Sequence, residues 1–233
     1  MTPQGDDPDD SGALSRRETL VRAGGLAAVA LGTSALTAEA AGRGSQSALA
    51  CVLSPEMTEG PYYLPGEKVR RNITEGQPGA PLALRLTVID AATCKAVKGA
   101  AVDIWHASAA GAYSGEAANG TVGRTYLRGI QRTDANGLAL FKTVYPGWYQ
   151  GRAVHIHVKV HAGGTIVHTG QLFFHDAFTD TVYRRAPYKA RGLPDVRNAQ
   201  DSIFASGGNR SLLSLRTAGK GYAGSISMGV HIG

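Results

Sequence analysis

Ala153-Val154-His155-Ile156-His157-Val158-Lys159-Val160 reads as one β-strand, and Thr165-Ile166-Val167-His168-Thr169-Gly170-Gln171-Leu172-Phe173-Phe174 reads as its partner. Ala162-Gly163-Gly164 lies between them and supplies the glycine-rich turn of a hairpin. Side chains alternate faces along a strand, so the imidazoles of His155 and His157 project one way while Val154, Ile156 and Val158 project the other. Outward from this hairpin the same grammar repeats. Residues 82–89 alternate and are rich in Leu and Val. Residues 100–106 follow Lys98-Gly99, and 138–144 follow the strong turn signal Asp134-Ala135-Asn136-Gly137. Residues 225–232 form a closing strand. No long helical periodicity interrupts them; 176–190 and 198–215 are read as short helical turns. The pattern predicts an all-β fold, an antiparallel β-sandwich. Residues 54–80 and 107–130 carry Gly, Pro, Asn and Tyr without strand alternation, and loops of that length inside a compact domain usually serve function.

The bulk composition is that of a globular protein. The chain has 233 residues, 43% hydrophobic and 18% charged, which excludes a collagen-like, mucin-like or largely disordered chain. Two cysteines exclude a disulfide-dense miniprotein. Charge is uneven: residues 1–40 carry a balance of −3 against +6 for the whole, so residues 41–233 carry +9. The basic residues are scattered, with no dense block interleaved with aromatics, which argues against a nucleic-acid partner.

The first 40 residues read as an export leader. Ser15-Arg16-Arg17-Glu18-Thr19-Leu20 precedes a mildly apolar stretch, and Ala38-Glu39-Ala40 offers a small-residue cleavage site. This is the form of a twin-arginine signal, read by the twin-arginine export machinery. Residues 41–50 are then a flexible mature N-terminus and 51–233 a single domain. The expected location is periplasmic or extracellular. Past residue 50 no segment is long and apolar enough to span a bilayer, so stable membrane insertion after cleavage is not expected. Export to an oxidising compartment predicts that Cys51 and Cys94 pair as a disulfide.

Two histidines at i and i+2 can reach one metal ion, although such a pair also decorates ordinary exposed strands. Lys159, Val160, His161, Ala162 and Gly163 follow, and none is acidic, so the carboxylate that would complete a facial triad is missing locally. His161 lies far along the strand, while His168 or His175 could return through the hairpin as a third imidazole. Tyrosine is plentiful: Tyr145 and Tyr149 just upstream, and Tyr113 in Gly111-Ala112-Tyr113. A phenolate is a hard anionic donor suited to ferric iron, whose charge would strip a proton otherwise lost near pH 10.

The residues at this point resemble those of the intradiol ring-cleaving dioxygenases, the family of protocatechuate 3,4-dioxygenase and catechol 1,2-dioxygenase, and more closely their compact secreted relatives. The similar stretches, in family order, are Gly60-Pro61-Tyr62-Tyr63; Val102-Asp103-Ile104-Trp105-His106 continuing to Gly111-Ala112-Tyr113-Ser114-Gly115; and Leu127-Arg128-Gly129. They continue with Thr133-Asp134-Ala135-Asn136-Gly137, Phe141-Lys142-Thr143-Val144-Tyr145-Pro146-Gly147-Trp148-Tyr149, Arg152-Ala153-Val154-His155-Ile156-His157, and Thr169-Gly170-Gln171-Leu172-Phe173-Phe174.

The resemblance implies a β-sandwich with long active-site loops and one non-haem Fe(III) held by Tyr113, Tyr149, His155 and His157. Tyr149 and His157 correspond to the axial pair, Tyr113 and His155 to the equatorial pair. It implies that a small catecholic substrate and O2 give a cis,cis-muconate-type product that retains both oxygen atoms. Tyr149 would leave the metal and accept a substrate proton. Arg152 would stabilise charge building on the ring, and Gln171 would pair with Arg152 or with ring oxygens. Tyr62 and Tyr63 would line the substrate mouth, with His106 a pocket or packing residue and Tyr145 structural. Only five residues separate Tyr149 from His155, and little chain precedes residue 82 for a helical dimerisation domain, so a more open pocket is expected. Two other readings stand beside this one: a secreted β-sandwich binding module without ring cleavage, and a copper or zinc protein built on the His pair with a third histidine.

Overall fold

The computed structural model describes residues 51–232; the predicted leader and the mature N-terminus up to residue 50 lie outside the described residues. The chain forms eight strands: β1 (Pro81–Asp90), β2 (Ala101–Trp105), β3 (Arg128–Arg132), β4 (Leu138–Val144), β5 (His155–Ala162), β6 (Thr165–Phe173), β7 (Ser214–Ala218) and β8 (Gly221–Val230). Two short helices, α1 (Asp176–Tyr183) and α2 (Ser202–Ala205), together with short 3-10 turns, occupy the connection between β6 and β7. The strands sort into two four-stranded sheets, β4-β1-β8-β7 and β3-β2-β5-β6.

The two sheets bury their apolar faces in one core. Leu82, Leu84, Leu86 and Val88 of β1 and Phe141 of β4 pack in the same cluster as Val102 and Ile104 of β2, Ile156 and Val158 of β5 and Leu172 of β6. The alternation of β1 from Pro81 to Val88 is what period-2 patterning requires of a strand with one solvated face. Each such fully buried Leu, Ile or Val contributes roughly 1.5–3 kcal/mol relative to exposure. The β5–β6 hairpin forms as its sequence predicts, with a register shift between Val160 and His161.

The sandwich is antiparallel except at one seam. β1 and β8 run parallel, from Leu82 beside Tyr222 to Asp90 beside Val230. Parallel neighbours need a long crossover rather than a hairpin, and here the rest of the domain supplies it. β3 and β7 are additional strands. Arg128 and Gly129 fall at the end of a stretch whose residue types signal a loop, and β7 is a short, mostly exposed strand with little apolar content. Cys51 and Cys94 form a disulfide with a Cα–Cα distance of 5.1 Å, fastening the start of the domain to the turn after β1. Among the described residues, no helix is long and apolar enough to cross a membrane.

Candidate metal centre

β5 builds the centre of the site. Ile156 and Val158 face the core, which turns His155 and His157 to the opposite face of the second sheet. That face is covered by loops, so both imidazoles are buried. Their Nε2 atoms lie 3.1 Å apart. The His155 Nδ1–H donates to the Ala153 carbonyl at 2.7 Å, which leaves the Nε2 lone pair facing its neighbour. Burial, reinforced by the Arg152 charge, pushes His155 down to about 3. Burial and then His155 push His157 well below the usual imidazole range. Both rings are therefore neutral at pH 7, the state in which imidazole ligates a metal.

Two phenols meet this pair. Tyr149, on the segment between β4 and β5, places its Oη 3.2 Å from His155 Nε2. Tyr113, carried by the long loop between β2 and β3, is 1% exposed, and its ring centroid is 5.5 Å from that of Tyr149 and 6.1 Å from that of His157. Burial pushes both phenols up, Tyr113 most strongly, while the Arg152 guanidinium opposes the shift at Tyr149. The Tyr113 hydroxyl and His157 Nδ1 are buried without a hydrogen-bond partner. Orphaned polar atoms of this kind are costly, and a cation that accepts the phenol and imidazole lone pairs would remove much of the cost at the phenol. Two neutral imidazoles and two phenol oxygens are a donor set that fits ferric iron. Among the described residues no group of three His, Cys, Asp or Glu is placed to hold a metal. His168, the candidate third imidazole, is engaged by Glu56 at 2.7 Å.

Around the tetrad the sequence-predicted residues assemble closely. Arg152 donates from Nη2 to Gln171 Oε1 at 2.6 Å and from Nη1 to Tyr149 Oη at 3.3 Å. Gln171 Nε2 donates in turn to the Thr58 carbonyl at 2.9 Å. Tyr62 stacks on Tyr113 with centroids 4.3 Å apart and meets Tyr149 edge-on. Tyr63 packs on Trp105, which itself lies flat against His157 at 4.9 Å. Gly60 makes this wall possible: its φ of +69° suits glycine, and a Cβ there would sit 3.1 Å from His157 Cε1. His106 instead spends both ring nitrogens inside the protein, on the Ala107 carbonyl and Thr143 Oγ1. Tyr145 sits in the core with its hydroxyl on Thr179, a packing position.

Sequence reading missed several partners. Asp201, at the start of α2, accepts from Arg152 Nε at 2.8 Å and from the Ala153 amide at 2.8 Å. Asp-Ser-Ile-Phe is a legible helix N-cap, but nothing local connects it with an arginine 49 residues away. On the covered face of the second sheet, Lys159 pairs with Glu59 and its ammonium lies over the Tyr63 ring at 3.6 Å. Beside it Asp103 is 1% exposed, and burial, then Glu67, raises its carboxyl to about 7. Arg128, buried at the loop base, donates to the carbonyls of Tyr62 and Ser114 and lies 3.7 Å from Glu67.

The second sheet and the loops over it bring two imidazoles, two phenols and an arginine together in one buried cluster, and comparison with known proteins places the fold in a family of dioxygenases. A family model described as "Dioxygenase" matches residues 58–187, more than half of the chain. A solved intradiol ring-cleavage dioxygenase from Tetranychus urticae is 34% identical, with a TM-score of 0.74, the match covering 78% of this chain and 95% of that one. The dioxygenase domain of a carbohydrate-binding fusion from Streptomyces sp. SirexAA-E is 32% identical with a TM-score of 0.60, covering 78% of this chain and 100% of that one. A chlorocatechol 1,2-dioxygenase of Pseudomonas putida is 31% identical over 137 residues, covering 50% of this chain and 52% of that protein. A catechol 1,2-dioxygenase of Acinetobacter lwoffii is 33% identical over 101 residues, which is 41% of this chain and 32% of that one. The chain thus spans about a third to a half of the curated relatives it matches. The chain belongs to the intradiol ring-cleavage dioxygenase superfamily.

Proposed function

We propose that this protein is a non-haem ferric intradiol dioxygenase that converts a small catecholic ring and one O2 to a cis,cis-muconate-type product. The observation that carries the reading is the convergence of Tyr113, Tyr149, His155 and His157 in a buried cluster with Arg152 directly against Tyr149. These four residues would hold the ferric ion, which supplies the charge that polarises a chelated catechol toward dioxygen.

The protein's own groups then divide the remaining work. Tyr149 Oη, in the anionic form it would take as a metal ligand, is the proton acceptor for a catechol hydroxyl; the Arg152 guanidinium 3.3 Å away opposes the rise that burial imposes on this phenol. With its proton gained, Tyr149 keeps a hydrogen-bonding neighbour in Arg152 rather than an empty apolar wall. Arg152, fixed by Gln171, directs its Nη1 at Tyr149 Oη, and its guanidinium would offset electron density building on a ring bound beside that oxygen. Trp105 packs behind His157, and Tyr62 and Tyr63 complete the aromatic wall of the cluster, where they would line the substrate mouth. Both oxygen atoms end in the product and no external reductant enters the balance.

The test is oxygen uptake by iron-loaded protein against catechol, a substituted catechol, hydroxyquinol and protocatechuate, with 18O2 and mass spectrometry of the product. The reading expects equimolar O2 and ring consumption and two labelled atoms in the product. Absence of uptake with every member of the panel would favour a binding module instead. We also read the chain as exported through the twin-arginine route, with residues 1–40 as leader, and as one of the compact secreted relatives. The Arg16-Arg17 pair ahead of an apolar stretch supports this, as does the Cys51–Cys94 disulfide, a bond typical of oxidising compartments.

A further inference from the structure

We infer that Asp201 is the positioning residue of the site, holding both Arg152 and the backbone that orients His155; for its catalytic consequence this rests on the function proposed above. The Asp201 side chain is fully buried, and its two oxygens face different structures. Oδ1 accepts from the amides of Ile203 and Phe204, capping α2. Oδ2 accepts from Arg152 Nε and from the Ala153 amide, each at 2.8 Å. The Ala153 carbonyl then receives His155 Nδ1–H. One carboxylate thereby fixes the plane of the guanidinium and the peptide that leads into Ala153, the residue whose carbonyl holds His155 Nδ1–H.

Geometry makes this more than a cap. A guanidinium held at Nε alone can still swing about its long stem, but held at Nε by Asp201 and at Nη2 by Gln171 it has one orientation left. In that orientation Nη1 points at Tyr149 Oη. Burial of a carboxylate is costly unless it is paired and its lone pairs are used, and here four donors use them. The α2 cap by itself would need only the two donors on Oδ1, and a neutral Asn or Ser would serve it as well. The second oxygen serves the Arg152 side, where it meets a cation.

Asp201→Asn separates the two roles, because Asn caps a helix about as well as Asp yet brings no charge to Arg152. We expect the cap on α2 to survive and thermal stability to fall, because the Asn amide must turn its own donor toward Arg152 Nε and the Ala153 amide. We expect kcat on catechol to fall about tenfold or more with KM less affected, as misplacement of a transition-state group should. Iron content should remain. The readout independent of turnover is the rate of phenylglyoxal modification of Arg152, followed by peptide mass spectrometry on the intact protein and on Asp201→Asn. Release from Asp201 should raise that rate severalfold, and Asp201→Glu, which restores the charge, should bring it back toward wild type. Unchanged Arg152 labelling in Asp201→Asn would overturn the inference, whatever the activity. A wild type that cleaves no catechol would overturn the functional reading alone, since the labelling comparison still decides the positioning role.

Discussion

The two sheets of the sandwich share a core but differ in the faces they turn away from it. In β4-β1-β8-β7 the outward positions are ordinary surface: Ala83 and Arg85 on β1, Lys142 on β4, Ser225 and Ser227 on β8, all exposed. In β3-β2-β5-β6 the outward face carries Arg128, Asp103, Trp105, His155, His157, Lys159 and Gln171, and every one is buried. A sheet face that is polar and solvated costs nothing; one that is polar and covered carries a large desolvation cost that only pairing offsets. The second sheet's cover, the loops at 54–80 and 107–127, takes these groups out of water, where charge interactions among them are strong. The difference singles out the second sheet's outer face as the place where buried polar groups gather.

That contrast can be broken at graded strength. The largest effect is expected on the covered face, at Arg128. Arg128→Met removes the hydrogen bonds to the Tyr62 and Ser114 carbonyls and leaves Glu67 without its nearest cation, which should cost about 3–5 kcal/mol in urea unfolding. A loss below about 1 kcal/mol would mean the covered face is less dependent on pairing than its burial indicates.

Asp103 gives a smaller, pH-dependent effect. Its carboxyl titrates near 7 in the folded protein and near 3.8 in the unfolded chain, because burial, then Glu67, disfavours its anion. The folded state therefore binds the extra proton between those values, and wild-type stability from this group declines as pH rises from about 4 to about 7, then levels. Asp103→Asn should remove the decline, so that the variant gains on wild type across that window by up to a few kcal/mol. Parallel stability–pH curves for the two proteins would contradict it. The smallest effect belongs to the solvated face: Arg85→Ala, with no buried partner to orphan, should change stability by less than about 0.5 kcal/mol. A cost comparable to that of Arg128→Met would erase the distinction between the faces.

Much of this was legible in the chain. The alternation at residues 82–88 and 138–142 carries its own burial pattern, because period-2 side chains leave no second way to bury Leu and Phe, whereas residues 153–160 alternate in chemistry but are buried on both faces. The i, i+2 spacing of His155 and His157 likewise fixes their shared face, and the structure adds the cover. Other features had no local signal. β1 and β8 pair in parallel from opposite ends of the domain, a long-range choice that strand chemistry does not encode. Asp201 reads as a helix cap, and its second oxygen finds Arg152 only because the connection after β6 folds back over the start of β5. Arg128 sits in a Gly-flanked stretch that reads as loop, yet it begins β3 and anchors Tyr62.

The central claim is that Tyr113, Tyr149, His155 and His157 together hold a ferric ion that a catechol can reach. The most direct measurement is iron content with the visible spectrum of the purified protein, before and after anaerobic catechol, set beside the His155→Ala/His157→Ala double variant. The account predicts stoichiometric iron, a visible tyrosinate-to-ferric charge-transfer band that shifts when catechol is added, and loss of both iron and band in the double variant. A protein that stays colourless after ferrous loading and air oxidation, or a double variant that retains wild-type iron, would contradict it.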